Sequence, residues 1–317
     1  MDETAGVRTE MASVSQKEAK GLGGRRLQGF GVFLAALSLA YAFPLFQLFS
    51  HAAHNELYSH AFLIPGVTIY LAIGRLREAN PPLASHWALA LTFALAGAAF
   101  LGVYLCASTM WGWNLARVDQ LALTTASYLA FATGGLFLFL GAAFLRAILF
   151  PWALLLFLVP FPEAVEGGVE IFFQRTSADV AQVLMSLAGL PVFRDGLFFR
   201  LPGILLEVAR ECSGIRSSLV LFITSLVGGL MLLRRPWSRA FLALAVIPLA
   251  ILRNAFRILT IAWLCVHIGP EMIHSPIHRR GGPIFFLLSL VPFFALLLFL
   301  KWIERRRPER QTLHESN

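Results

Sequence analysis

Charged side chains are scarce in this chain: 14% of its 317 residues are Asp, Glu, Lys or Arg, against 57% that are hydrophobic. So little polar cover cannot clothe a soluble domain of this length, and the composition predicts a polytopic membrane protein. Cysteine is scarcer still. Cys106, Cys212 and Cys265 lie far apart, with no C-x-x-C pair and no Cys/His spacing suited to zinc or an iron–sulfur cluster, so neither a metal centre nor another cofactor is expected. Three thiols leave one unpaired, and nothing in the sequence brings Cys106 near Cys265. An internal repeat is also missing, as is a matched pair of broken apolar segments, which argues against a secondary transporter.

What is present is a series of apolar runs with short basic clusters between them. The net charge of +8 therefore reads as a set of topology determinants rather than a nucleic-acid surface. Residues 1–28 carry Lys17, Lys20, Arg25 and Arg26 among Gly, Ser and Glu and are expected to form a disordered cytoplasmic tail. An uncleaved first helix is expected over 29–49, despite the cleavage-like "AYA" at 40–42. Further spans are expected near 61–74, 87–106, 120–145, 147–161, 215–233, 240–268 and 284–302, helical because backbone polar groups in lipid must be satisfied within the segment. The predicted fold is thus an all-α integral membrane protein of about eight transmembrane helices, with a membrane domain over 29–302 and a basic cytoplasmic tail over 303–317. Placing the N-terminus inside puts Arg75, Arg77, Arg146, Arg234, Arg235, Arg239 and Lys301 with Arg305–Arg307 on the cytoplasmic side. Segment 162–214 then faces outward, as a small cap: an amphipathic helix over 163–189, followed by two brief extended pieces around the Asp195-Gly196 turn.

Three places carry side chains capable of chemistry. In "ARECSGIRSS", Cys212 stands where an apolar helix begins, so the positive end of the helix dipole and Arg216 one turn on favour its thiolate, while Glu207 and Glu211 oppose it. A lone membrane cysteine is more often simple packing. In "ILRNAFRILTIAW", Arg253, Asn254 and Arg257 interrupt an otherwise apolar span, at an insertion cost of at least ~2.5–3.5 kcal/mol for a central charge. Eighteen residues from Arg239 at 1.5 Å each carry Arg257 roughly 27 Å along the helix, level with Cys212, and Asn254 shares its face. An arginine holding helices together through Glu207 or Glu211 is the plainer alternative. A thiol attacking a carbonyl also needs a proton carrier, and a histidine can serve. His278 in "IHRRGG", its neighbour His274, and His51, His54 and His60 all fall on the outer side.

The blocks "ECSGIRSS", "NAFR" and "HRRGGPIFF", in that order, together with "YSHAFLIPGVTIYL", "FPWALLLFLVPFPE" and "DGLFFRLPGILLEVA", resemble the exosortase/archaeosortase family of membrane-embedded cysteine transpeptidases across about 55–300. The resemblance implies Cys212 as nucleophile, Arg257 as the essential arginine and His278, four before Gly282, as the essential histidine, with Asn254, Arg253, Glu211 and Arg216 in support. It further implies a multi-pass protein of the plasma (inner) membrane, with an exoplasmic site and cytoplasmic termini. Its partners would be lipid and membrane-anchored exported proteins with a C-terminal sorting tail: a short Pro-containing motif, an apolar helix and a basic end. No substrate-binding residue is implied. The alternatives are an intramembrane cysteine protease without transfer activity, a membrane acyltransferase or lipid-modifying enzyme in which Cys212 merely packs, and a transporter or channel lined by Arg257.

Overall fold

The computed structural model describes residues 23–109, 115–208, 214–275 and 281–306. The chain divides into two compact units, 1–163 and 164–317. Among the described residues, six helices are long and apolar enough to cross a membrane, and as many as eight spans result if each of two interrupted helix pairs counts as one. The protein is an all-α membrane protein, as its apolar runs require.

In the first unit, α1 (Gly23–Ala40) reaches back into the stretch expected as tail. It is followed by α2 (Ala42–His54), a 3-10 turn (Glu56–Phe62), α3 (Ile64–Ala79), α4 (Trp87–Thr109) and α5 (Arg117–Phe139). Two short helices, α6 (Ala142–Ala147) and α7 (Leu149–Leu154), complete it, with a final 3-10 turn over Leu155–Leu158. The single first helix expected over 29–49 is bent by 73° between α1 and α2. The cause is Pro44. Tyr41 and Leu45 still donate backwards, to Leu37 O and Tyr41 O at 2.9 Å each, but Pro44 has no N–H for the Ala40 carbonyl and its ring crowds that group.

The helix expected to run to 145 instead stops at Phe139, because Gly141 adopts φ +86° and ψ −179°, a conformation essentially restricted to glycine. That turn lies against the chain before α4: Ala84 N donates to Leu140 O, and a Cβ at 141 would collide with the Ala84 carbonyl. Gly141→Ala is therefore expected to destabilise the protein by at least about 2 kcal/mol, strain alone accounting for ~1–3 kcal/mol. Thermal unfolding of the purified protein in detergent reads this as a lowered Tm. Within the unit, α5 is the helix most enclosed by protein, and Ser127 Oγ, bonded to Gly97 O at 2.7 Å and Tyr41 OH at 2.7 Å, joins it to α4 and the α1–α2 junction.

In the second unit α8 (Glu163–Leu187) takes the amphipathic form expected, burying Phe173, Gln174, Ser177, Ala178, Ala181 and Met185 at helical spacing. The extended segment holds three strands rather than two pieces: β1 (Phe193–Asp195), β2 (Phe198–Leu201) and β3 (Ile204–Glu207), an antiparallel meander in sequence order. Beside the expected turn at Gly196 (φ +61°), a second forms at Pro202-Gly203, with Gly203 at φ +80°. Proline then glycine is the pattern a type II turn demands.

Phe199, Leu201, Leu206 and Val208 of this meander share one core with Ala178, Ala181 and Met185 of α8 and with Ala255, Ile258, Ile261, Ala262 and Cys265. The last five belong to α10 (Pro236–His267). Arg194 also bonds Asp179 at 2.6 Å, but Asp179 is exposed and such a pair contributes only ~0–1 kcal/mol, so the shared core does most to hold the sheet on its helices. Cys265, buried here, and Cys106 in α4 are both free thiols.

Helix α9 (Ile215–Leu232), α10 and α11 (Gly282–Arg306) share a second core of Leu221, Leu242, Val246, Phe293 and Leu297. At one end of it the Glu304 carboxylate accepts from Arg234 N at 2.7 Å and Arg235 N at 3.0 Å, supplying acceptors for N–H groups at the start of α10 that the helix itself cannot satisfy.

Candidate active site

Helix α9 begins after Gly214, which holds φ +72° in the left-handed region. Its carbonyl accepts from Ser218 N at 3.0 Å, as the helix requires, and from Ser218 Oγ at 2.7 Å and Ser217 Oγ at 3.2 Å. A fourth donor comes from another helix. Arg253 of α10 places Nη2 3.0 Å from Gly214 O and 3.3 Å from Ser218 Oγ. The absence of a side chain at 214 permits this approach: a Cβ there would lie 2.8 Å from Arg253 Nη2 and 3.5 Å from Asn254 Cγ.

Arg253 is 9% exposed and Asn254 2%. Burying the guanidinium in a span costs at least ~2.5–3.5 kcal/mol, while a charge-assisted hydrogen bond returns ~1.5–3 kcal/mol, so two such bonds roughly balance the burial. Arg253 Nη1 is also buried and has no acceptor among the described residues. Arg257, one turn further along α10, is half-buried.

Of the residues singled out from sequence, Arg253 and Asn254 thus meet Gly214, two residues after Cys212. The contact falls one turn before Arg257, the position that helix rise alone put level with the cysteine. Arg216 is exposed in the first turn of α9, and Gly282 opens α11. Cys212, Glu211 and His278 lie outside the described residues. His274 is exposed at the end of a 3-10 turn (Pro270–His274). In the first unit His60 is buried with Nδ1 3.0 Å from Leu57 O and Nε2 3.0 Å from Phe157 O, leaving neither ring nitrogen open to a substrate. His54 faces Ser50 O at the end of α2.

Two residues at this site escaped sequence reasoning. Ser218 carries no sequence signal that sets it apart from any other helix serine. Gln174, 5% exposed, donates from Nε2 to Val208 O at 3.2 Å, at the exit of the meander and four residues before Cys212. The only signal for it was a carboxamide on the apolar face of α8.

A family model described as transmembrane exosortase matches residues 50–295, well over half of the chain. No curated protein and no solved structure matches it.

Proposed function

The chain belongs to the transmembrane exosortase family, and on that premise we propose that it is a cysteine-dependent transpeptidase or protease that cleaves the C-terminal sorting signals of exported proteins. The Cys212 thiolate attacks the carbonyl carbon of the scissile peptide bond, and Arg257 stabilises the resulting oxyanion. Collapse of that intermediate breaks the C–N bond, with His278 delivering the proton to the departing amine. The ectodomain is left as a thioester on Cys212. A second nucleophile, an acceptor amine or water, attacks the thioester and gives its proton to His278, so that thiolate and imidazolium are restored for the next cycle.

The observation that carries this reading is the seating of Arg253 and Asn254 against Gly214, which brings the N-x-x-R turn of α10 to the cysteine block. Two cations within one helical turn, near the start of a second helix, create a positive field suited to a thiolate and to an oxyanion. Basic clusters favour a protein of the plasma (inner) membrane with both termini cytoplasmic and the site exoplasmic. A substrate tail consisting of a short Pro-containing motif, an apolar helix and a basic end would pack by its helix and present its motif at the rim.

The test is mass spectrometry of an exported reporter carrying such a tail, released by cells that express the enzyme. A new C-terminus bearing an acceptor amine marks transpeptidation, and a free carboxylate marks hydrolysis. Reporter that stays full length, with its tail attached, overturns the reading.

A further inference from the structure

A nucleophile is only as well placed as the chain on either side of it, because catalysis tolerates errors of about 0.5 Å in its reacting groups. The segment 209–213, which contains Cys212, runs between Val208 and Gly214. Covalent geometry alone keeps the Cys212 Cα within about 7.6 Å of that of Gly214. Both ends are held by buried side chains that reach across from other helices.

At the upstream end Val208, 1% exposed, donates its N–H to Leu197 O at 2.9 Å and closes the meander. Its carbonyl lies past the last strand pair, Phe198 with Glu207, and has no ladder partner there. Gln174 Nε2 supplies one. A buried carboxamide costs ~1–3 kcal/mol unless it is bonded, so a leucine or methionine would suit this face of α8 better if packing were all it had to provide. At the downstream end Arg253 and Ser218 hold the Gly214 carbonyl.

Both anchors grip main-chain oxygens, so they hold the backbone at Val208 and at Gly214 independently of any side chain between them. Their parent helices share a single core through Ala178, Ala181, Ala255, Ile258 and Phe199, which fixes the two anchors relative to each other. The structure assigns Gln174 and Arg253 as positioning residues that hold the two ends of the Cys212 segment. This assignment rests on the reading of Cys212 as the nucleophile, and it separates the two arginines of α10: Arg253, with Nη2 committed to the backbone, aligns the nucleophile, and the more exposed Arg257 faces the reaction.

Full-length protein in lipid nanodiscs gives a readout that needs no substrate. Hydrogen exchange is expected to quicken at least tenfold around Val208 in Gln174→Met, a change that keeps the side chain's length and removes its carboxamide. In Arg253→Met the same acceleration is expected over Gly214–Ser218, while amides at the core-facing centres of α8 and α10 stay protected. With the tailed reporter, both variants are expected to lower kcat ten- to a hundredfold with KM within about twofold, and Arg253→Lys, which keeps one cationic donor, is expected to recover part of both effects. Exchange unchanged within twofold overturns the assignment, as does retained kcat, or a loss confined to KM. If Arg253→Met fails to fold, Arg253→Lys and Gln174→Met still decide between these outcomes. Processing that survives Cys212→Ala would sink the thiol chemistry instead, and the exchange measurement would still report whether the two side chains hold the segment.

Discussion

Cys212→Ala is expected to reduce processing of a tailed reporter by at least about 10⁴-fold, to the background of uncatalysed cleavage. The magnitude follows from the role: without the sulfur there is no thioester, and the remaining groups can stabilise charge but cannot form the covalent intermediate. The change to alanine removes only the sulfur, and the amount of enzyme in the membrane separates lost chemistry from lost protein. Cys212→Ser is expected to be nearly as inactive, because a hydroxyl lacks a thiol's ready ionisation near neutral pH. Immunoblotting of reporter size, alongside the amount of enzyme in the membrane, measures both. An alanine variant that processes normally would favour the acyltransferase alternative, in which this sulfur only fills space.

Arg257→Gln is expected to cost 10²–10³-fold in kcat, the range found when a single preorganised oxyanion donor is removed. Glutamine keeps hydrogen-bonding capacity and much of the length but discards the charge. Arg257→Lys keeps the charge and loses the planar fork, so an intermediate loss is expected. Neither change should alter hydrogen exchange around Gly214, in contrast to Arg253→Met. If Arg257→Gln depleted folded protein from the membrane while the surviving fraction turned over normally, the arginine would be a strut between helices and not part of the chemistry.

The helices were legible because lipid leaves the backbone a single local solution, so apolar runs translate almost directly into elements. Their interruptions were less so. The bend at Tyr41 is caused by Pro44 three residues later, beyond the point where the chain turns, and the stop at Gly141 depends on a neighbouring stretch of chain at Ala84 that no local pattern discloses. The Pro202-Gly203 turn carried a strong local signal, which the nearby Asp195-Gly196 obscured.

At the site, a level on α10 one turn from the contact with α9 could be reached by counting helix rise from Arg239. The bond from Arg253 to Gly214 could not. It joins residues 39 apart in sequence, and its acceptor is a backbone oxygen that every residue possesses. Gln174 is hidden for the same reason.

The Glu304 carboxylate ties α11 to the start of α10 through two main-chain donors, and the leucine and phenylalanine layer above it binds α9 into the same knot. Arg253 clasps α9 to α10 at the far end as well, so α11 is the helix this knot leaves to swing, and any widening that admits a guest helix is expected to grow with distance from Glu304 and to be greatest between Gly214 and Gly282. Spin labels at Leu232 and Lys301 should therefore keep their separation when a tailed reporter is bound, while labels at Arg216 and Ile284 move apart. An equal increase at both ends would mean that α11 draws away in parallel with no pivot, and no change at either end that the three helices shift as a rigid slab.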